Sequence, residues 1–134
     1  MRLIIAGSRK FKDYTFLKQK VEYYTQNIQV TEVVSGKQKT PIYQNGVIIG
    51  YYGADYLGEQ WAKENGIPVK AFPANWDKFG KRGAYIRNKE MAEYGDLAII
   101  IKVQGAGNIG STMMEGLAIK YLGKEKVKTL NYKQ

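Results

Sequence analysis

The chain has no cysteine and no histidine, and it is poor in acidic side chains: 12 Asp and Glu stand against 21 Lys and Arg. Without cysteine there are no disulfides, thiolate nucleophiles or zinc knuckles. Without histidine, any chemistry proceeds without an imidazole base, which excludes a Ser-His-Asp triad and removes the usual nitrogen ligand of a transition-metal hydrolase. Neither a metal site nor another cofactor is expected. No run of about 18 apolar residues occurs, as a membrane-spanning helix would need. Met1 to Ala6 enters a short apolar run directly, without the charged region and long apolar core of a leader peptide. A soluble, cytoplasmic protein with no membrane partner is expected.

What is present describes a folded domain. The 134 residues are 44% hydrophobic and 25% charged, which fits a single globular unit spanning 1–134. The acid deficit leaves a formal charge of +9, so an anionic partner is expected.

Leu3-Ile4-Ile5-Ala6 is a short apolar run ending at Gly7, the pattern of a buried strand. Asp13 offers a helix cap, with Leu17, Val21 and Tyr24 on one stripe behind it. Val30 to Val34 predicts a second strand. Between residues 38 and 52 the pattern breaks: Asn45-Gly46 separates two apolar runs, the signature of a type I′ hairpin, here read as an inserted arm. A helix follows from Gly53-Ala54-Asp55 to Asn65-Gly66, then a strand at Val69 to Phe72 and a loop from Pro73 to Lys81. A helix over Arg82 to Tyr94, a strand over Leu97 to Val103, a Gly-rich loop, and a helix over Ser111 to Leu122 come next. In that last helix Met114, Leu117, Ala118 and Tyr121 are expected to face inward. Val127 to Leu130 closes as a strand. Alternating strands and helices predict a Rossmann-like three-layer α/β sandwich with a mainly parallel five-stranded sheet and the hairpin arm.

In such sheets ligands bind beyond the carboxyl ends of the strands. The loops there carry Arg9, Lys10, Lys12, Lys37, Lys39, Lys78, Lys81, Arg82, Arg87 and Lys102. A solvated basic rim would account for them; a phosphate-bearing ligand is the sharper reading. Three loops are also glycine-rich: Gly7-Ser8-Arg9 after the first strand, Gly53-Ala54-Asp55 at the second helix, and Gly107 to Thr112 leading into the last. Gly36 ends the second strand. Helix starts fed by glycines present free N–H groups to an anion. Thr112 and Glu115 also have the spacing of a capping box, and Asp55 sits in a first helical turn, where a carboxylate is favoured without any ligand. Tyr43, Tyr51 and Tyr52 on the arm suggest a homo-oligomer contact.

Five segments, Gly7-Ser8-Arg9, Gly53-Ala54-Asp55-Tyr56-Leu57-Gly58-Glu59, Phe72-Pro73-Ala74-Asn75-Trp76, Arg87-Asn88-Lys89-Glu90-Met91 and the loop ending in Ser111-Thr112, resemble the YspA/YpsA-related branch of the SLOG superfamily in order and over nearly the whole chain. That superfamily includes the Lonely Guy phosphoribohydrolases, DprA-type single-stranded DNA binders and sensors of ADP-ribose-derived signals in antiphage defence. The resemblance implies a nucleotide pocket at the carboxyl end of the sheet. In the Lonely Guy enzymes an Arg four residues before a Met, and the Glu of a Gly-Gly-x-Gly-Thr-x-x-Glu loop, are needed for catalysis; Arg87 with Met91 and Thr112 with Glu115 match that spacing. The double glycine is Asn108-Ile109 here and the third glycine is Ser111, which alters the backbone cradle.

The leading expectation is therefore binding of a nucleotide-derived small molecule of the ADP-ribose or cyclic ADP-ribose kind, as a sensor or sequestering protein. Arg9, Lys10 and Arg87 would neutralise phosphates, while Ser8, Ser111, Thr112 and the N–H groups at Gly110 would hydrogen-bond them. Asn88 belongs to the same motif as Arg87, and Asp55 or Glu115 would accept from ribose hydroxyls. An N-glycosidase acting on nucleoside monophosphates, with Glu115 and Arg87 catalytic, is the enzymatic alternative. Single-stranded nucleic-acid binding is the third reading.

Overall fold

Every residue from Leu97 to Val103 except Lys102 is buried, with Leu97, Ile99, Ile101 and Val103 facing one layer and Ala98 and Ile100 the other. A strand buried on both faces needs a layer of helices on each side. The structure, a computed structural model describing residues 1–133, meets that requirement. Its strands are β1 (Arg2–Gly7), β2 (Glu32–Ser35), β3 (Thr40–Gln44), β4 (Val47–Tyr52), β5 (Val69–Ala71), β6 (Leu97–Val103) and β7 (Val127–Tyr132). The helices are α1 (Tyr14–Thr25), α2 (Ala54–Glu64), the single turn α3 (Trp76–Phe79), α4 (Gly83–Tyr94) and α5 (Ile109–Leu122).

Five strands form one sheet in the order β5-β2-β1-β6-β7, with every pairing parallel. Leu17 and Val21 of α1 and Leu57 and Trp61 of α2 pack on Leu3, Ile5, Ile99 and Ile101. Met91 and Ala92 of α4 and Met114 and Leu117 of α5 pack on Ile4, Ala98 and Ile100 across the sheet. The result is a Rossmann-like three-layer sandwich. The chain builds outward from β1 through β2 to β5, then crosses over to lay β6 and β7 on the other side of β1. Order thus reverses between β1 and β6, where such sheets open a crevice.

The hairpin β3–β4 stands apart as its own two-stranded sheet. Asn45 and Gly46 both take positive φ, 52° and 79°, as its turn requires. Its base is tied down: Gly53 N–H donates to the Phe11 carbonyl (2.9 Å), Thr40 Oγ1 to the Arg9 carbonyl (2.9 Å), and the Lys39 ammonium lies 4.1 Å from the Tyr51 ring centre.

Several boundaries differ from the sequence reading. The stretch Pro73 to Lys81, read as loop, contains α3, capped by Asn75 Oδ1 accepting from Lys78 N–H at 3.0 Å, and runs into a 3₁₀ turn at Gly80–Arg82. The second strand begins at Glu32 rather than Val30, and the last extends to Tyr132. Helix α5 begins at Ile109, two residues early, and Tyr121 on it is exposed rather than inward. Among the described residues no helix is long and apolar enough to cross a membrane.

Candidate functional site

The site begins where β1 leaves the sheet. A Cβ on Gly7 would lie 2.2 Å from the Ile101 carbonyl oxygen, so only glycine lets the two strand ends approach this closely, at a φ of +154°. The chain then folds over β6: Ser8 N–H donates to the Ile101 carbonyl (2.9 Å), the Ser8 carbonyl accepts from Ala54 N–H at the start of α2 (3.0 Å), and its hydroxyl accepts from Lys10 N–H (3.1 Å). Arg9 and Lys10 are left exposed on the rim.

The exit of β2 is held by carboxylates. Ser35 Oγ donates to Glu59 (2.8 Å), and the Lys37 ammonium pairs with the same carboxylate at 2.6 Å. Asp55, in the first turn of α2, accepts from Gln38 N–H (3.2 Å), with Gly7 N–H also near its carboxylate, so it stands between the loops after β1 and β2. Burial pushes its pKa up to about 6, although those two N–H groups and the Arg87 charge pull the other way.

Arg87 reaches this junction from α4. It is buried, its Nη1 donating to the Gly36 carbonyl (2.6 Å) and its Nε to Asn88 Oδ1 (2.7 Å). Burial lowers its pKa, opposed by the charge of Asp55. A Cβ on Gly36 would sit 2.6 Å from Arg87 Nη1, so the absent side chain at 36 makes the guanidinium's seat. With Nε and one Nη1 hydrogen engaged, the second Nη1 hydrogen and the two on Nη2 are the donors left.

The fourth wall is the start of α5. Asn108 stands at the cap position, but its side chain is spent on the preceding loop, accepting from Val103 N–H (3.2 Å) and donating to the Val103 and Ala106 carbonyls. The helix has no side-chain cap, and its first intrahelical donor is Thr112 N–H. The N–H groups of Ile109, Gly110 and Ser111 therefore face outward uncapped, with the partial positive charge of a helix start. Together these walls enclose a cavity of about 370 Å³ at the β1–β6 switch point, floored by Met91, Met113 and Met114.

Of the residues expected to bind, Gly7, Ser8, Arg9, Lys10, Gly36 and Asp55 line this cavity, as do Arg87, Asn88, Gly110 and Ser111. Gly53, Thr112 and Glu115 do not. Gly53 caps α2 and supports the arm. Thr112 lies inside α5, so the Thr-x-x-Glu spacing forms no capping box. Glu115 turns to the β6–β7 edge, where it pairs with Lys102 (3.0 Å) and accepts from Thr129; the Thr129 bond, then Lys102, holds its pKa below the usual carboxylate range. The basic residues also converge less than their positions suggested: Arg9, Lys10 and Arg87 line the cavity, while Lys12 lies over the Tyr52 ring. Gln38 and Met113 are wall residues that no sequence pattern singles out; Met114 was legible only as a core position, and Met91 as the motif partner of Arg87. Compared with protein-family models, curated proteins and solved structures, the chain matches none.

Proposed function

We propose that the protein binds a phosphate-bearing, nucleotide-derived small molecule of the ADP-ribose or cyclic ADP-ribose kind, as a sensor or sequestering protein with a SLOG-type pocket. The observation that carries this reading is the convergence of Arg87, Arg9, Lys10 and the uncapped start of α5 on one cavity of about 370 Å³. That volume is in the range of small-molecule sites. Cations and free N–H groups suit phosphates, and the methionine floor suits the face of a sugar or base. Isothermal titration against a panel of nucleotides and cyclic nucleotide signals tests it: micromolar or tighter binding of at least one phosphate diester is expected, and nothing tighter than millimolar across the panel rejects it.

Binding without cleavage is favoured by the carboxylates. Asp55 is the one acid among the residues lining the cavity, and its Oδ2 is engaged by Gln38 N–H; Glu115 points elsewhere. An N-glycosidase needs a carboxylate aimed at the anomeric carbon or its water. Chromatography should recover the ligand intact after long incubation. Release of free base, abolished by Asp55→Asn, would assign catalysis instead.

For the arm, the partner we propose is a second copy of the chain. Residues 40–52 contain no charged side chain, and the lysines against the arm, Lys12 and Lys39, lie over Tyr52 and Tyr51 at its base, so two copies of a +9 molecule can meet at its outer part without opposing cations. Val47, Ile48 and Ile49 are exposed on it, and each strand of the hairpin has one unpaired edge.

A further inference from the structure

Beside the main cavity lies a groove of about 290 Å³, walled by Lys37, Lys39, Pro73 and Trp76. The two spaces share Arg9, Gly36, Gln38 and Arg87, so the groove continues the cavity past the guanidinium of Arg87. No carboxylate lines it. Trp76 is 49% exposed, an unusual position for so large an apolar ring, yet it is not loosely held. It opens the turn α3, which Asn75 caps, and its ring edge packs over Gly83, where a Cβ would meet Trp76 Cε3 at 3.5 Å. A fixed indole face beside cations is what stacks a nucleobase whose phosphates lie next to it.

From this continuity we infer that the site takes a two-ended ligand: a pyrophosphate diester or cyclic equivalent whose sugar end occupies the methionine-floored cavity, whose phosphates cross the shared wall at Arg9 and Arg87, and whose base stacks on Trp76. A mononucleotide, with a single nucleoside end and one phosphate, would leave one of the two spaces empty. The inference rests on the phosphate-binding reading above and adds the second subsite to it.

Two probes, inorganic pyrophosphate and ADP-ribose, separate the two claims. ADP-ribose is expected to quench tryptophan fluorescence in the native chain and to lose that effect in Trp76→Phe, because Trp61 is buried in the core. Trp76→Ala is expected to weaken ADP-ribose binding about tenfold or more while changing pyrophosphate binding less than twofold. Retained pyrophosphate affinity also reports that the variant is folded. If pyrophosphate binds but ADP-ribose is indifferent to Trp76→Ala, or its quenching persists in Trp76→Phe, the second subsite is overturned and the phosphate site stands. If neither probe binds the native chain, both readings fall.

Discussion

A methyl group at position 36 would stand 2.6 Å from Arg87 Nη1 and 3.0 Å from Asp55 Oδ2. Gly36→Ala should therefore push the guanidinium from its seat, weakening a phosphate ligand about tenfold, with an overpacking cost of about 1–3 kcal/mol; titration calorimetry and thermal melts read the two effects. Glu115→Gln should do the reverse of what its motif position suggests, leaving ligand affinity unchanged and costing about 1 kcal/mol through the weakened contacts to Lys102 and Thr129. Asp55 gives a pH signature. Its folded pKa of about 6 lies above the ordinary 3.8, so the folded protein holds this proton more tightly than the unfolded chain. The stability this contributes is complete below about pH 4 and is lost as pH rises through about 6, with an amplitude of about 3 kcal/mol. Denaturant unfolding across that window should show the loss in the native chain and a flatter profile in Asp55→Asn. At this scale the sequence marked Arg87 by its motif and Gly36 by its place at the end of a strand. It could not mark Gln38, whose N–H and amide oxygen matter only because Asp55 and Arg9 fold against them.

Elements were legible where the signal is local. Asn45-Gly46 specifies its own turn, and Asp13 caps α1 by accepting from Phe16 N–H at 3.0 Å, because each needs only its neighbours in the chain. The start of α5 was misplaced for the opposite reason: Asn108 is drawn into bonds with Val103, five residues back on β6, and the helix starts uncapped. Asn108→Ala should loosen that loop, costing about 2 kcal/mol and lowering phosphate affinity; unchanged ligand affinity would show that the loop does not hold the helix start in place. For the arm, Val47→Lys with Ile49→Lys adds charge to exposed positions. Sedimentation should show a dimer for the native chain and a monomer for the double variant, with ligand affinity preserved; a native monomer at all concentrations rejects the arm as an interface.

Across the whole molecule the +9 charge favours any polyanion, yet the cations lining the cavity and its adjoining groove are few: Arg9, Lys10, Lys37, Lys39 and Arg87. A small diphosphate touching Arg9, Lys10 and Arg87 should bind with a shallow dependence on salt. Single-stranded nucleic acid neutralising many phosphates would show a steep one, with a logarithmic slope of about −0.7 per contact. Fluorescence titrations at several ionic strengths separate the two. The amino-acid pattern by itself determined which segments are strands buried on both faces, where the four long helices and the arm fall, and which loops carry glycine and cation. Burial periodicity and turn preference are properties of a few consecutive residues. Only the tertiary structure decided that Arg87 sits against Gly36, 51 residues away, that Glu115 turns toward β7, and that Trp76 stands beside Arg9. Those meetings depend on strand order, on the crossover between β1 and β6, and on the rotation of each helix about its axis, none of which is written in any one stretch of the chain.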